Sequence, residues 1–179
     1  MPSIREGQLI FQFPDGWKVS KFDGWSFYRN QFQNVCGGAT AIDLLAIEAP
    51  SCLWKIEVKD YRRHRRTKTN DLAEEVAGKV RDSLAALVAA QVNANDREER
   101  ALARVALRCR RLRVVLHLEQ PARHSKLFPR GINPANVQQR LKQLVKPIDP
   151  HPLVLEASRM QGVAWTVQRE EADPSEILA

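Results

Sequence analysis

Apolar residues recur along the chain with two spacings, and each spacing predicts one kind of element. Alternating or continuous short apolar runs are typical of strands, whereas three-and-four spacing is typical of a helix. Strands are predicted over residues 8–13, 41–47, 53–59, 112–118, 153–155 and 163–167, and helices over 71–92, 97–108 and 134–145. This order predicts an α/β fold with a central mixed β-sheet flanked by α-helices.

The strands at 41–47 and 53–59 are joined by only a few residues, so we expect an antiparallel hairpin. Asp43 interrupts the first strand among apolar neighbours, which is expensive unless the carboxylate is paired or bound to a metal. Glu57 and Lys59 are two residues apart on the second strand and therefore project from the same face. A hairpin centred on Pro50 places Asp43 opposite Glu57. The sequence therefore predicts two carboxylates and one ammonium on one sheet surface.

Two adjacent carboxylates are suitable ligands for a hard divalent ion such as Mg²⁺ or Mn²⁺. Such an ion lowers the pKa of a bound water and neutralises the charge that develops on a phosphate. A neighbouring lysine would orient the attacking water or hold the phosphate.

The order of a strand with Asp, a strand with Glu-x-Lys, a helix and another strand resembles the PD-(D/E)XK nuclease superfamily. The resemblance covers about residues 39–118 and implies a restriction-endonuclease-like core with Mg²⁺-dependent endonuclease (phosphodiesterase) activity. It implies Asp43, Glu57 and Lys59 as catalytic residues, with Asp43, Glu57 and the carbonyl of Val58 as metal ligands. Ile42 departs from the family, in which proline is common before the Asp. The acidic residue that the family often carries before the hairpin could be Glu6, Asp15 or Asp23.

The charge of the chain is a second indication of a nucleic-acid partner. It has 28 Lys and Arg residues and 21 Asp and Glu residues, for a net charge of +7. Residues 53–68, here called the basic strip, hold seven cations and two carboxylates. A concentrated strip of this kind suggests a polyanionic partner, although a solvated loop is the simpler interpretation. On the 97–108 helix, one side carries Arg97, Arg100, Arg104 and Arg108, here called the arginine face, and Arg111 is a further candidate for the same side. The nucleic-acid-binding residues predicted from both regions are Arg62, Arg63, Arg65, Arg66, Lys68, Arg104 and Arg108.

The function expected from these features is metal-dependent hydrolysis of nucleic-acid phosphodiester bonds, with DNA favoured over RNA and a homodimer as one arrangement. The alternative is a non-catalytic nucleic-acid-binding or complex-assembly module on the same fold. A further alternative is an interaction protein whose arginine-rich helix meets an acidic protein partner.

Length and composition set the remaining expectations. One nuclease-like domain is predicted over residues 1–169, followed by an acidic, flexible tail at 170–179. No apolar run approaches the roughly 20 residues of a membrane span, so no membrane partner is expected. Three widely spaced cysteines argue against a disulfide framework and favour the cytoplasm. The histidines show no zinc-ligand spacing.

Overall fold

A computed structural model describes residues 1–64, 66–121 and 131–170. Five strands come first, followed by two helices, a strand, a helix and two further strands. The hydrophobic pattern predicts all of them except the strands at Ser3–Glu6 and Lys18–Lys21. The elements are β1 (Ser3–Glu6), β2 (Leu9–Gln12), β3 (Lys18–Lys21), β4 (Leu44–Glu48), β5 (Cys52–Asp60), α1 (Leu72–Asn93), α2 (Arg97–Leu107), β6 (Arg111–Glu119), α3 (Pro134–Val145), β7 (Leu153–Leu155) and β8 (Thr166–Arg169). Two short helical turns, Tyr28–Phe32 and Val35–Gly37, lie between β3 and β4.

The larger sheet has five strands in the order β3-β4-β5-β6-β7. Its pairs are antiparallel from β3 to β5 and parallel from β5 to β7, so the sheet is mixed. The predicted α/β class is therefore confirmed. A second, antiparallel sheet has the order β1-β2-β8 and joins the two ends of the described chain.

The two faces of the larger sheet are covered by different elements. Along β4, Leu45 and Ile47 pack on the helix side, in the core that also contains Val76 and Val80 of α1. Leu44 and Ala46 pack on the other side, in the core that contains residues of β2 and β8. The helices therefore cover one face and the small sheet covers the other, which corrects the expectation of helices as the only flanking layers.

The hairpin between β4 and β5 has the predicted register. Leu44 pairs with Ile56 and Glu48 pairs with Cys52, so the hairpin is centred on Pro50. Asp43 immediately precedes β4, and continuing this register by one residue places it opposite Glu57, as predicted. The alternation of faces fixes this register, because a slip of one residue would turn the apolar side chains of β4 to the wrong side.

Each helix begins at a side chain that caps its first turn. Asp71 accepts a hydrogen bond from the Glu74 backbone N–H, and Asp96 accepts bonds from those of Glu98 and Glu99. The cap at Asp71 fixes where α1 begins, and thereby places the first turns of α1 beside the end of β5. No helix within the described ranges is long and apolar enough to span a bilayer.

The predicted tail at 170–179 lies outside the described residues from 171 onward. Glu170 itself is held, since its backbone N–H donates to the Gln8 carbonyl and its carboxylate pairs with Arg5.

Candidate functional site

Asp43 lies against the partner strand of its hairpin, as the sequence predicts. Its Oδ2 accepts a hydrogen bond of 2.7 Å from the Val58 backbone N–H. Its Oδ1 lies 3.6 Å from Nζ of Lys79, a residue of α1. The carboxylate is therefore held from the sheet and from the helix layer together.

Glu57 is fully buried beneath α1. Its Oε1 accepts bonds from Lys79 Nζ at 2.6 Å and Lys59 Nζ at 2.8 Å, whereas its Oε2 has no hydrogen-bond partner among the described residues. Burial, and then the neighbouring Asp43 carboxylate, raise the pKa of Glu57 to about 7 despite the two lysines. The burial of this carboxylate is tolerated because both ammonium groups converge on one of its oxygens.

Lys59 connects Glu57 to the first turns of α1, where Glu75 lies 3.1 Å from its Nζ. Burial disfavours the charged lysine, but the Glu57 and Glu75 carboxylates outweigh burial and raise its pKa. Glu75 also accepts bonds from Arg66 and Lys68. Burial opposes ionisation of Glu75, yet these three cations lower its pKa to about 2.

These five residues, Asp43, Glu57, Lys59, Glu75 and Lys79, are called the ion cluster below. Lys79 Nζ lies within ion-pair distance of both predicted metal-binding carboxylates, where a bound cation would be expected to neutralise them. Within the described part of the chain, no group of three or more His, Cys, Asp or Glu residues could hold a metal. The metal, the Val58 carbonyl ligand and the catalytic roles of Asp43, Glu57 and Lys59 stay predictions.

Glu75 and Lys79 were missed by the sequence analysis. They are four residues apart on α1, directly beside the buried positions Val76 and Val80. A carboxylate and an ammonium at that spacing share one side of a helix. Their position next to the apolar stripe was the available signal, since charged groups there must face another layer.

The basic strip is largely neutralised in the structure. Arg62 makes a bidentate pair with Asp60, with Nε–Oδ1 and Nη2–Oδ2 distances of 2.8 and 2.6 Å. Arg66 and Lys68 both pair with Glu75. Arg63 is exposed, and Arg65 lies outside the described residues. Most described cations predicted to bind nucleic acid here already have a carboxylate.

The arginine face differs in this respect. Arg97, Arg104 and Arg108 are exposed and Arg100 is partly exposed. No ion pair involves any of the four within residues 1–64, 66–121 and 131–170. Arg104 is oriented by a 3.0 Å hydrogen bond from its Nε to the Gln91 carbonyl of α1. Among the described residues, these four guanidinium groups on α2 and its C-cap have no carboxylate partner, so this surface is suited to bind phosphates.

The arginine face and the part of the basic strip beyond β5, residues 61–68, lie at opposite ends of the larger sheet. Arg108 comes just before β6, whose first residue pairs with the first residue of β5, and the basic strip continues beyond the last residue of β5. Nine residues of strand separate the two ends, a distance of roughly 30 Å. They therefore do not form one continuous patch around the ion cluster.

Comparison with known proteins gives one informative match. No family model matches the chain, and no solved structure matches it. The chain is 35% identical over 168 aligned residues to the cysteine–tRNA ligase of Neisseria meningitidis serogroup A. The match covers 76% of this chain and 24% of that protein, so the chain spans about a quarter of the relative's length.

This relative carries the name of a tRNA ligase, which overturns the identification with the PD-(D/E)XK superfamily. The prediction of a metal-dependent nuclease is therefore wrong, and the restriction-endonuclease-like core is not confirmed. The alternative of a non-catalytic module on the same nuclease fold gains no support either. The Asp, Glu-x-Lys pattern has a structural explanation, since the carboxylates and ammonium groups of the ion cluster neutralise one another.

Proposed function

We propose that this chain is a tRNA-binding domain related to part of cysteine–tRNA ligase, and that it contacts the tRNA backbone through the arginine face. The observation that carries the proposal is the 35% identity to a protein named for its action with tRNA. The uncompensated arginines of α2 supply the charge that such a partner requires.

The proposal makes RNA the nucleic-acid partner, and nothing supports the earlier preference for DNA. It assigns the chain to an enzyme of the ligase type, not to an endonuclease. The predicted homodimer stays a prediction.

The chemistry of the arginine face favours sequence-independent contact. Its four side chains are guanidinium groups that bind phosphate oxygens with two donors each. Phosphate contacts position a nucleic acid and supply affinity that falls with salt. We therefore expect binding to weaken steeply as salt increases.

The test is fluorescence anisotropy with a labelled tRNA transcript and the double variant Arg104→Gln, Arg108→Gln. We expect its Kd at moderate salt to rise about tenfold, and the slope of log K against log salt to become shallower by about 1.5, since two phosphate contacts are lost.

The control variant Lys142→Gln, Lys146→Gln removes the same charge from exposed positions of α3 or its end. We expect it to bind within about threefold of the unchanged protein, as an exposed charge away from the interface contributes little. Equal losses in both variants would reject the arginine face, and failure of the unchanged protein to bind tRNA would reject the function. Circular dichroism establishes that both variants are folded.

A further inference from the structure

The last turns of α1 leave two valines in the solvent. Val88 and Val92 are 54% and 64% exposed, and apart from Met1 they are the most exposed large apolar side chains of the described residues. They lie four residues apart and therefore share one side of the helix. The pair forms a small apolar surface that no other part of the described chain covers.

The guanidinium group of Arg104 adjoins this apolar surface. Its Nε donates a 3.0 Å hydrogen bond to the Gln91 carbonyl, which belongs to the peptide group that joins Gln91 to Val92. The arginine face therefore continues directly into the exposed side of α1. The bond uses only Nε, so among the described residues both terminal nitrogens of Arg104 stay available to a phosphate.

Two amide side chains lie in the turn between α1 and α2. Asn93 and Asn95 are exposed, and neither side chain makes a hydrogen bond to another described residue. Ala94 between them is buried, and its backbone N–H donates to the Ala90 carbonyl at 3.0 Å, after which Asp96 caps α2. The turn is therefore fixed, and it holds both amides between the apolar surface and the arginine face.

We propose that these groups bind an unpaired segment of RNA. They are called the junction surface, which consists of Val88, Val92, Asn93, Asn95, Arg97 and Arg104. An unpaired nucleotide offers an apolar base face, a polar base edge and a phosphate. The valines match the first, the amides match the second and the arginines match the third. The inference rests on the proposed function, and it adds that the tRNA is contacted where its bases are unpaired.

The charge of the surroundings selects this occupant. The arginines next to the valines favour an anion over a second copy of this chain, which carries a net charge of +7. A duplex would meet the arginines but not the valines, because its base faces are stacked inside the helix. Removal of the valines should therefore separate single-stranded from duplex RNA.

The experiment measures fluorescence anisotropy of the full chain with labelled oligouridine, an RNA duplex of the same length and a tRNA transcript. The variant Val88→Ser, Val92→Ser removes the apolar surface without a change of charge. We expect its Kd for oligouridine to rise about fivefold, the low end of what one base contact contributes, and its Kd for the duplex to stay within about 1.5-fold. The slope of log K against log salt should stay the same, because no phosphate contact is lost.

The matched control is Leu144→Ser, which removes another exposed apolar side chain from α3. Arg140 of α3 pairs with Glu74 in the first turn of α1, roughly 20 Å along that helix from Val88. This control should bind all three RNAs as the unchanged protein does. Arg104→Gln, Arg108→Gln should instead weaken the binding of oligouridine and of the duplex alike, since both carry phosphates.

The outcomes separate this inference from the proposed function. If the unchanged protein binds neither tRNA nor oligouridine, the proposed function fails and the inference fails with it. If tRNA is bound and the valine variant binds oligouridine as tightly as the unchanged protein, only the inference fails. An equal loss for oligouridine and duplex would also overturn it. So would a change from dimer to monomer in sedimentation of the valine variant with unchanged RNA affinity, which would assign the valines to a contact between copies.

Discussion

The basic strip and the arginine face have similar composition and opposite surroundings. The basic strip has the higher density of positive charge along the sequence, yet Arg62, Arg66 and Lys68 each pair with a carboxylate. The arginine face has fewer cations, and none of its four is paired within the described residues. The local net charge of a segment therefore does not measure how much charge is available to a partner.

The difference arises because Glu75 belongs to α1 and not to the basic strip. The fold brings this carboxylate to Lys59, Arg66 and Lys68 at the end of β5. A phosphate that binds there must compete with it. On α2, by contrast, the acidic residues Glu98 and Glu99 lie in the first turn, and Glu99 is bonded to Ser26 and Phe27. The arginines are left to the solvent.

The largest expected effect tests whether Lys79 of the ion cluster stabilises the fold. Lys79→Met removes the closest ammonium from the buried Glu57 carboxylate. Glu57 keeps Lys59 as a partner, but it loses one of its two ammonium groups and Asp43 loses its cation, so we expect the free energy of unfolding to fall by roughly 2–3 kcal/mol. Urea denaturation followed by circular dichroism measures this change.

The control is Lys68→Met, the same substitution at a cation that is 62% exposed and shares Glu75 with two others. We expect a loss below about 1 kcal/mol, as for other exposed ion pairs. Equal losses at Lys79 and Lys68 would contradict the distinction between the buried cluster and its exposed margin.

A second effect of intermediate size concerns acid stability. The cations around Glu75 hold its folded-state pKa at about 2, below its ordinary value of 4.5. A lowered pKa stabilises the fold above pH 4.5, and this contribution is lost as the pH falls toward 2. Glu75→Gln should therefore lower stability by about 2 kcal/mol at pH 7, after allowance for partial exposure, and by almost nothing near pH 2.

The matched control is Glu74→Gln, which removes a neighbouring carboxylate that is 53% exposed and pairs with Arg140. Its effect on stability should be a few tenths of a kcal/mol, as for an exposed ion pair. Denaturation curves at several pH values compare the stability of both variants with that of the unchanged protein. A difference between Glu75→Gln and the unchanged protein that persists at pH 2 would assign the effect to lost packing.

Local patterns were sufficient to predict the hairpin and the helices. The two-residue period fixed the register that pairs Leu44 with Ile56, because only one register buries the apolar face. The boundaries of α3 and β7 agree with the predicted ranges 134–145 and 153–155. These elements depend on spacing, capping and turn residues that lie close together in the chain.

Contacts between distant segments could not be predicted in this way. Strand β8 pairs with β2, from which it is separated by most of the chain, and no local signal in residues 166–169 indicates that partner. No element is predicted for the aromatic segment 17–35, whose rings are buried on two different sides of the sheet. Phe22 and Trp25 pack edge to face on the helix side, whereas Trp17 stacks on Trp54 in the other core. The sequence predicted Asp43, Glu57 and Lys59 of the ion cluster, which belong to one hairpin. It did not predict Glu75 and Lys79, because they come from α1, which packs on the hairpin from another layer.

The smallest expected effect is the loss of tRNA affinity when paired cations of the basic strip are removed. Arg62→Gln combined with Lys68→Gln removes two charges, as the double variant on the arginine face does. We expect the Kd for tRNA to rise by less than about twofold, because both cations are already paired and a phosphate gains little from them. Anisotropy titrations at matched salt compare the two variants directly. A loss as large as that of Arg104→Gln, Arg108→Gln would mean that tRNA displaces Asp60 and Glu75, and that pairing in the free protein does not remove a cation from the interface.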